Sequence, residues 1–262
     1  MTINWINCVA GFGVGALVGL TGVGGGSFMA PIMILAFGTA PETAVGTDLW
    51  FAGTTKLVGA WIHGNKGTID KQIILRLLWG SLPTAVATLL WLWASGTAQN
   101  HNLLMFRTLG ATLIVTSIAA AFRKRIHAFG TRMRGERPIE FKKLQPALTV
   151  IAGALLGFLV TFTSIGAGAL GAVMLLYLYP IRLNAGTLVG TDIAHAIPLT
   201  LVAGVGHLFL GNVSGSLLAG LLIGSIPGIA LGSLISIRAP DRIVRFAISV
   251  MLAMVGLKML SS

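Results

Sequence analysis

Val45-Gly46-Thr47-Asp48 occurs a second time as Val189-Gly190-Thr191-Asp192, 144 residues further along the chain. Held in that register, Gly13–Pro83 lies on Gly157–Pro227 without a gap, and 18 of the 71 positions are identical. The identities gather at groups with chemical or backbone consequences. Gly22 and Gly24 fall on Gly166 and Gly168, Thr43 on Thr187, His63 on His207, and Gly80-Ser81 with Pro83 on Gly224-Ser225 with Pro227. Leu and Val coincidences carry little weight in an apolar chain, but a repeated V-G-T-D with a repeated histidine does. The chain reads as one unit used twice, residues 1–122 and 147–262, joined by 123–146.

Working outward, the solvent of this chain follows from composition. Of 262 residues 55% are hydrophobic, the mean hydropathy is +0.89, and only 10% are charged, against about 25% in a soluble domain. So few charges cannot cover a water-facing surface, and the chain reads as an integral membrane protein. Cys8 is the only cysteine, which excludes an intrachain disulfide framework and a cysteine metal cluster. Thirty-five glycines without a G-x-y period suit closely packed transmembrane helices. Met1–Val9 lacks the basic n-region of a signal peptide.

A span needs about 20 mostly apolar residues. Val45–Ile62, Ile73–Ala94, Leu103–Phe122, Ala185–Leu210, Gly215–Ile237 and Ile243–Leu260 qualify as spans. Trp5–Phe37 and Ala147–Tyr179, 33 residues each, are too long for one helix and short for two crossings. Each is interrupted, by Thr21-Gly-Val-Gly-Gly-Gly-Ser27 and by Thr163-Ser-Ile-Gly-Ala-Gly168. Glycine costs a helix about 1 kcal/mol relative to alanine, so each stretch is expected to form two half-helices joined by an unwound tip. Such backbone is tolerated at membrane depth only inside protein or beside a watery cavity.

The +11 net charge is concentrated. Residues 123–146 hold Arg123, Lys124, Arg125, Arg132, Arg134, Arg137, Lys142 and Lys143 against Glu136 and Glu140, a net +6. In a membrane protein this marks a cytoplasmic loop; without interleaved aromatics it is not read as a nucleic-acid patch. With that loop inside, hairpins that dip and return leave Lys66, Lys71, Arg182, Arg238, Arg242 and Arg245 inside and Glu42 outside. An odd number of true crossings per copy then makes the copies inverted. The expected fold is an all-α polytopic membrane protein of about eight helical segments in two inverted four-segment repeats. Each repeat opens with a broken, re-entrant helix pair.

These residues resemble the TauE/SafE family of membrane permeases. The family's pattern is a G-x-G-G-G segment with a following proline, then A-x-G-T, then a His and a G-x-x-D turn. Here it reads Gly22-Val-Gly24-Gly25-Gly26 with Pro31, Ala44-Val-Gly46-Thr47, and His63 with Gly67-Thr-Ile-Asp70. The likeness covers nearly the whole chain. The second copy departs from it: Gly166-Ala-Gly168-Ala-Leu170 has lost glycines, Leu175 stands where the proline would be, and Leu188 replaces the alanine. The resemblance implies transport of a small sulfur-containing or organic anion, sulfite or a sulfonate foremost.

Helix breaks present free N–H groups and a positive dipole end, which bind anions without a buried cation. The candidate substrate contacts are therefore Thr21, Gly22, Gly24, Gly25, Gly26 and Ser27 at one tip and Ser164, Gly166 and Gly168 at the other. The competing reading of these glycines is tight packing alone. Thr47, Thr191 and Lys56 complete the set, the lysine balancing substrate charge or pairing with Asp48 or Asp192; its repeat counterpart is Thr200. Asp48, Asp192 and His195, one helical turn after Asp192, are candidates for handling a coupling proton. An intramembrane carboxylate costs about 2.5 kcal/mol or more, although an interfacial N-cap would also explain both aspartates. His63 and His207 read as caps on free carbonyls, and Trp50 and Phe51 as packing.

No ATP-binding signature is present and no cofactor is called for. The expected partners are a small anion, the lipid bilayer and, as a candidate, a second copy of the chain, with no nucleic acid. The expected location is the cell (inner) membrane. An anion leaving a cell that is negative inside gains about 2.3 kcal/mol per 100 mV, so export by alternating access needs little coupling. The rival readings are proton-coupled uptake, a membrane scaffold without transport, and an intramembrane enzyme. The enzyme reading finds no HExxH or GxSxG to stand on.

Overall fold

Breakers in the sequence set the ends of the helices. A computed structural model describes residues 5–21, 28–64, 69–95, 98–136, 138–236 and 241–261. Their helices are α1 (Trp5–Thr21), α2 (Met29–Phe37), α3 (Pro41–Gly64), α4 (Lys71–Ala94), α5 (Ala98–Ala121), α6 (Arg123–Glu136), α7 (Pro138–Thr163), α8 (Ala169–Leu178), α9 (Ala185–Phe209), α10 (Gly215–Ser236) and α11 (Asp241–Ser261). Gly38 stops α2 in a left-handed conformation, φ 63°, while its N–H and that of Thr39 return to the carbonyls of Ile34 and Met33. Asp70 and Asn184 start α4 and α9 by accepting from the backbone N–H of Ile73 (3.2 Å) and Thr187 (2.9 Å).

Among the described residues every element is helical, and five helices are long and apolar enough to cross a membrane: within α4, α5, α7, α9 and α10. Large apolar side chains face outward along them, such as Trp79 (75% exposed) and Phe209 (85%). In water this would be a liability; in lipid it is the solvated surface. The chain is a multi-pass membrane protein.

Two features differ from the sequence reading. The basic segment is not an open loop: α6 fills most of it, and α7 begins at Pro138, well before the expected start of the second unit. Apolar and small residues inside the basic run dock α6 on the neighbouring hairpin. Phe129 stacks on Tyr177 (centroids 6.1 Å), and His127 Nε2 lies 3.0 Å from the Pro180 carbonyl. The second hairpin also has unequal arms. The 26 residues of α7 extend about 39 Å and the 10 of α8 about 15 Å, so only α8 is a half-helix. The expected break is present at Ser164–Gly168, outside any helix, with φ 59° at Ser164, 130° at Gly166 and 121° at Gly168.

The hairpin returns to its starting side. Gln145 donates to the Leu178 carbonyl, and the Thr149 and Tyr179 hydroxyls are 2.9 Å apart. Arg182 then joins the returning chain to the start of α4, donating to both oxygens of Asp70 (2.7 and 2.9 Å) and to Gln72 (2.9 Å). The segment after α8, the start of α4 and α6 therefore lie on one face.

Packing runs across the repeat. Helix α1 lies along α10, and α4 along α7, as parallel pairs that approach to backbone contact. A methyl group on Gly224 would overlap the Cys8 carbonyl, and one on Gly157 the Ser81 carbonyl. Without a hydrophobic drive between helices in lipid, such approach is what holds them. At the centre α3 and α9 run antiparallel: Gly46 meets His207, Trp50 Nε1 donates to the Gly204 carbonyl (2.9 Å), and Gly53 meets Thr200. Helices α5 and α11 are also antiparallel, with Gly110 against Gly256 and Ser117 Oγ donating to the Ser249 carbonyl (2.6 Å).

Candidate functional site

The repeated V-G-T-D serves three jobs. Gly46 lets α3 approach the chain after α9, since a Cβ there would overlap the Asn212 carbonyl. Thr47 Oγ1 accepts from the backbone N–H of Ser214 (3.1 Å), and Thr191 Oγ1 from that of Asp70 (3.0 Å). These two bonds are the same bond in the 144-residue register, each holding the residue that precedes α10 or α4. Both threonines are buried and already hold helix ends, so the expectation that they contact substrate gains nothing from their geometry.

The aspartates face inward. Asp48 and Asp192, each about two turns into its helix, are 0% and 4% exposed. Neither is an N-cap: α9 is capped by Asn184, and α3 starts at Pro41. Neither oxygen of Asp48 reaches hydrogen-bond geometry, nor does Oδ1 of Asp192. Asp48 faces the Ser164 hydroxyl, the backbone of Ala30 in the first turn of α2, and the Lys56 ammonium. Asp192 lies against the first turn of α8, where a Cβ on Gly171 would overlap its Oδ1. Each carboxylate thus sits near the N-terminal end of the short helix in one hairpin.

Lys56 is within electrostatic reach of both. It is 4% exposed, its Nζ is 3.4 Å from the Ala167 carbonyl in the unwound tip, and its charge acts on both aspartates. It does not reach toward an interface. His195 is fully buried, with Nε2 3.0 Å from Ser81 Oγ, Nδ1 without a partner, and the Lys56 charge acting on it. Ser164, the described non-glycine residue with positive φ, has a buried Oγ with no hydrogen bond. The backbone N–H of Gly171 returns to Gly166 and that of Ala172 to Gly168. Among the described residues, the N–H groups of Ala169 and Leu170 are left without a backbone acceptor.

The structure therefore brings together Lys56, Asp48, Asp192, His195, Ser164 and the tip through Gly168. Gly22, Gly24, Gly25, Gly26 and Ser27 lie outside the described residues, as do the side chains of Thr21 and His63. His207 is a structural tie: its Nε2 is 2.9 Å from the Thr161 carbonyl, joining the ends of α9 and α7. Trp50 and Phe51 pack between helices. Sequence reasoning gave no role to Ser81, although the repeated Gly-Ser-x-Pro was the signal that could have found it.

In charge terms the centre holds one ammonium and two carboxyl groups, a net −1 when all are ionised. Like charges about 5 Å apart at an effective dielectric of about 20 repel by about 3 kcal/mol. An anion can therefore approach Lys56 and the tip most easily when the neighbouring carboxyl groups carry protons.

Comparison with known proteins gives the family. Residues 7–259 match the family described as "Sulfite exporter TauE/SafE". The chain is 37% identical to the "Probable membrane transporter protein YjnA" of Bacillus subtilis, over 95% of this chain and 97% of that one. It is 27% identical to the "Probable membrane transporter protein YdhB" of the same organism, over 95% and 97%. With the "Probable membrane transporter protein MJ0441" of Methanocaldococcus jannaschii identity is 25%, over 96% and 93%. No solved structure matches it significantly. A match over nearly the full length, joined to a helical membrane fold, makes the chain a member of the TauE/SafE family of membrane transporters.

Proposed function

We propose that the protein is a secondary transporter that exports a small sulfur-containing anion, sulfite or a sulfonate, across the cell membrane by alternating access. The observation that carries this reading is Lys56, buried in mid-helix between two carboxyl groups without full hydrogen bonding, beside the unwound tip of α7–α8. A buried polar centre of this kind is expensive in lipid and marks a substrate path. The family's own description supplies the sulfite and the direction.

Two inverted halves provide the alternation in this reading. Support comes from helices equivalent in the 144-residue register, α3 with α9 and α5 with α11, which are neighbours and antiparallel. A two-fold axis in the membrane plane produces that relation; an axis along the membrane normal would make them parallel.

Proton-coupled uptake is the second reading, favoured by the bare oxygens of Asp48 and Asp192. Protonation lowers the repulsion against an entering anion, so anion and proton would cross together. Asp192 is also acted on by Arg123 at the start of α6. Proteoliposomes loaded with labelled sulfite decide between the readings. Export predicts efflux that follows the imposed potential. Coupled uptake predicts sulfite entry that is accelerated by outside acid and acidifies the lumen. Silence across sulfite, sulfonates and small carboxylates would sink both.

A further inference from the structure

The two halves share a sequence register but not the groups they present at the centre. In the 144-residue register His195 corresponds to Phe51, Lys56 to Thr200 and Ser164 to Leu20. Phe51 is fully buried and apolar, and the Thr200 hydroxyl is spent on the Ala196 and Ile197 carbonyls of its own helix (2.8 and 3.1 Å). Among the described residues, the strong donors of the centre belong to, or lean onto, the second tip. Lys56 comes from the first half, yet its Nζ sits at the Ala167 carbonyl.

We propose that the transported anion is held in one asymmetric subsite at the Ser164–Gly168 tip, by Lys56, the Ser164 hydroxyl and the Nδ1–H of His195, rather than shared equally between the two hairpins. This rests on the transport reading above. Ser81 is the positioning residue. When its hydroxyl donates to Nε2 at 3.0 Å, the imidazole proton resides on Nδ1, which is buried with no hydrogen-bond partner among the described residues. Ser164 Oγ faces Asp48 without reaching hydrogen-bond geometry, and among the described residues Ala169 and Leu170 add backbone N–H groups without a backbone acceptor at the start of α8. A buried donor without an acceptor is costly, and an anion with several oxygens satisfies these donors together. An ammonium, an imidazole N–H, a hydroxyl and helix-end amides suit a pyramidal head with three oxygens, as in sulfite or a sulfonate. A halide or a flat two-oxygen carboxylate would leave donors bare. Asp48 and Asp192 both act on the Lys56 charge, and protonation of these carboxyl groups lowers the repulsion against an entering anion.

The test uses the purified full-length protein, with thermal stabilisation by sulfite, methanesulfonate, formate and chloride read alongside proteoliposome flux. His195→Phe copies the other half, and Ser164→Ala removes one hydroxyl; each should raise the half-saturating sulfite concentration about tenfold or more, the loss of one hydrogen bond to a charged group. Both should also narrow the preference for sulfite over formate. His195→Gln, which keeps an N–H donor, should recover part of the loss. Ser81→Ala should weaken selectivity more than maximal rate. Thr200→Val and Phe51→Leu, the register counterparts of Lys56 and His195, should leave affinity unchanged. Equal losses from the two register counterparts, or unchanged sulfite affinity in His195→Phe and Ser164→Ala, would overturn the proposal. Wild-type protein that binds sulfite through these residues but moves none would refute transport and leave the subsite standing. Wild-type protein stabilised by none of the anions would refute the subsite.

Discussion

Replacing Lys56 by methionine removes the one ammonium at the centre while keeping an unbranched chain of similar reach. The formal charge of the cluster falls from −1 to −2, because Asp48 and Asp192 remain on either side. One unit charge acting on an anion about 5 Å away, at an effective dielectric of about 20, is worth about 3 kcal/mol, or about 10²-fold in an equilibrium constant. Initial rates of labelled sulfite flux in proteoliposomes, taken across a concentration series, should therefore show a half-saturating concentration about 10²-fold higher. Lys56→Met combined with Asp192→Asn returns the cluster to −1 and should recover most of that factor. The double variant also guards against misfolding, since two buried carboxylates without a cation are destabilising by about 3–5 kcal/mol. A single variant within about threefold of wild type would refute the electrostatic argument. So would a double variant no better than the single one, which would leave the loss to the direct contact alone and none of it to charge balance.

Gly224→Ala should lower thermal stability in detergent by the equivalent of about 1–3 kcal/mol, because the new methyl meets the backbone of Cys8 and Phe12. Gly13→Ala, where a Cβ meets open space, should be neutral or stabilising; equal effects would contradict close packing of α1 on α10. In a Cys8→Ala background, an impermeant thiol reagent should label Ser216→Cys from outside intact cells and Arg132→Cys only after permeabilisation. Labelling of both from one side would break the proposed topology.

Much of the fold was written in local properties. Hydropathy accumulates residue by residue, so long apolar helices such as α4 and α9 were legible within a residue or two of their ends. The break after Thr163 was legible because Ser164, Gly166 and Gly168 take backbone angles that a helix excludes. The basic segment was misread as a loop. Its helicity depends on Phe129 and His127 meeting Tyr177 and Pro180 on the hairpin, contacts that charge counting does not see.

The site divides along the same line. By itself the sequence determined a membrane protein with a 144-residue internal register, which residues were too polar for lipid, and where a helix had to break. These follow from transfer energies and backbone preferences, which each residue carries wherever it is placed. Only the tertiary structure decided which of those residues meet. Lys56 and Ala167 are 111 residues apart, Ser81 and His195 are 114, and Thr47 and Ser214 are 167. Their pairing depends on the rotation and register of packed helices, and one turn of slip would exchange the partners. That register turned Thr47 and Thr191 into helix ties and directed the lysine to the second tip.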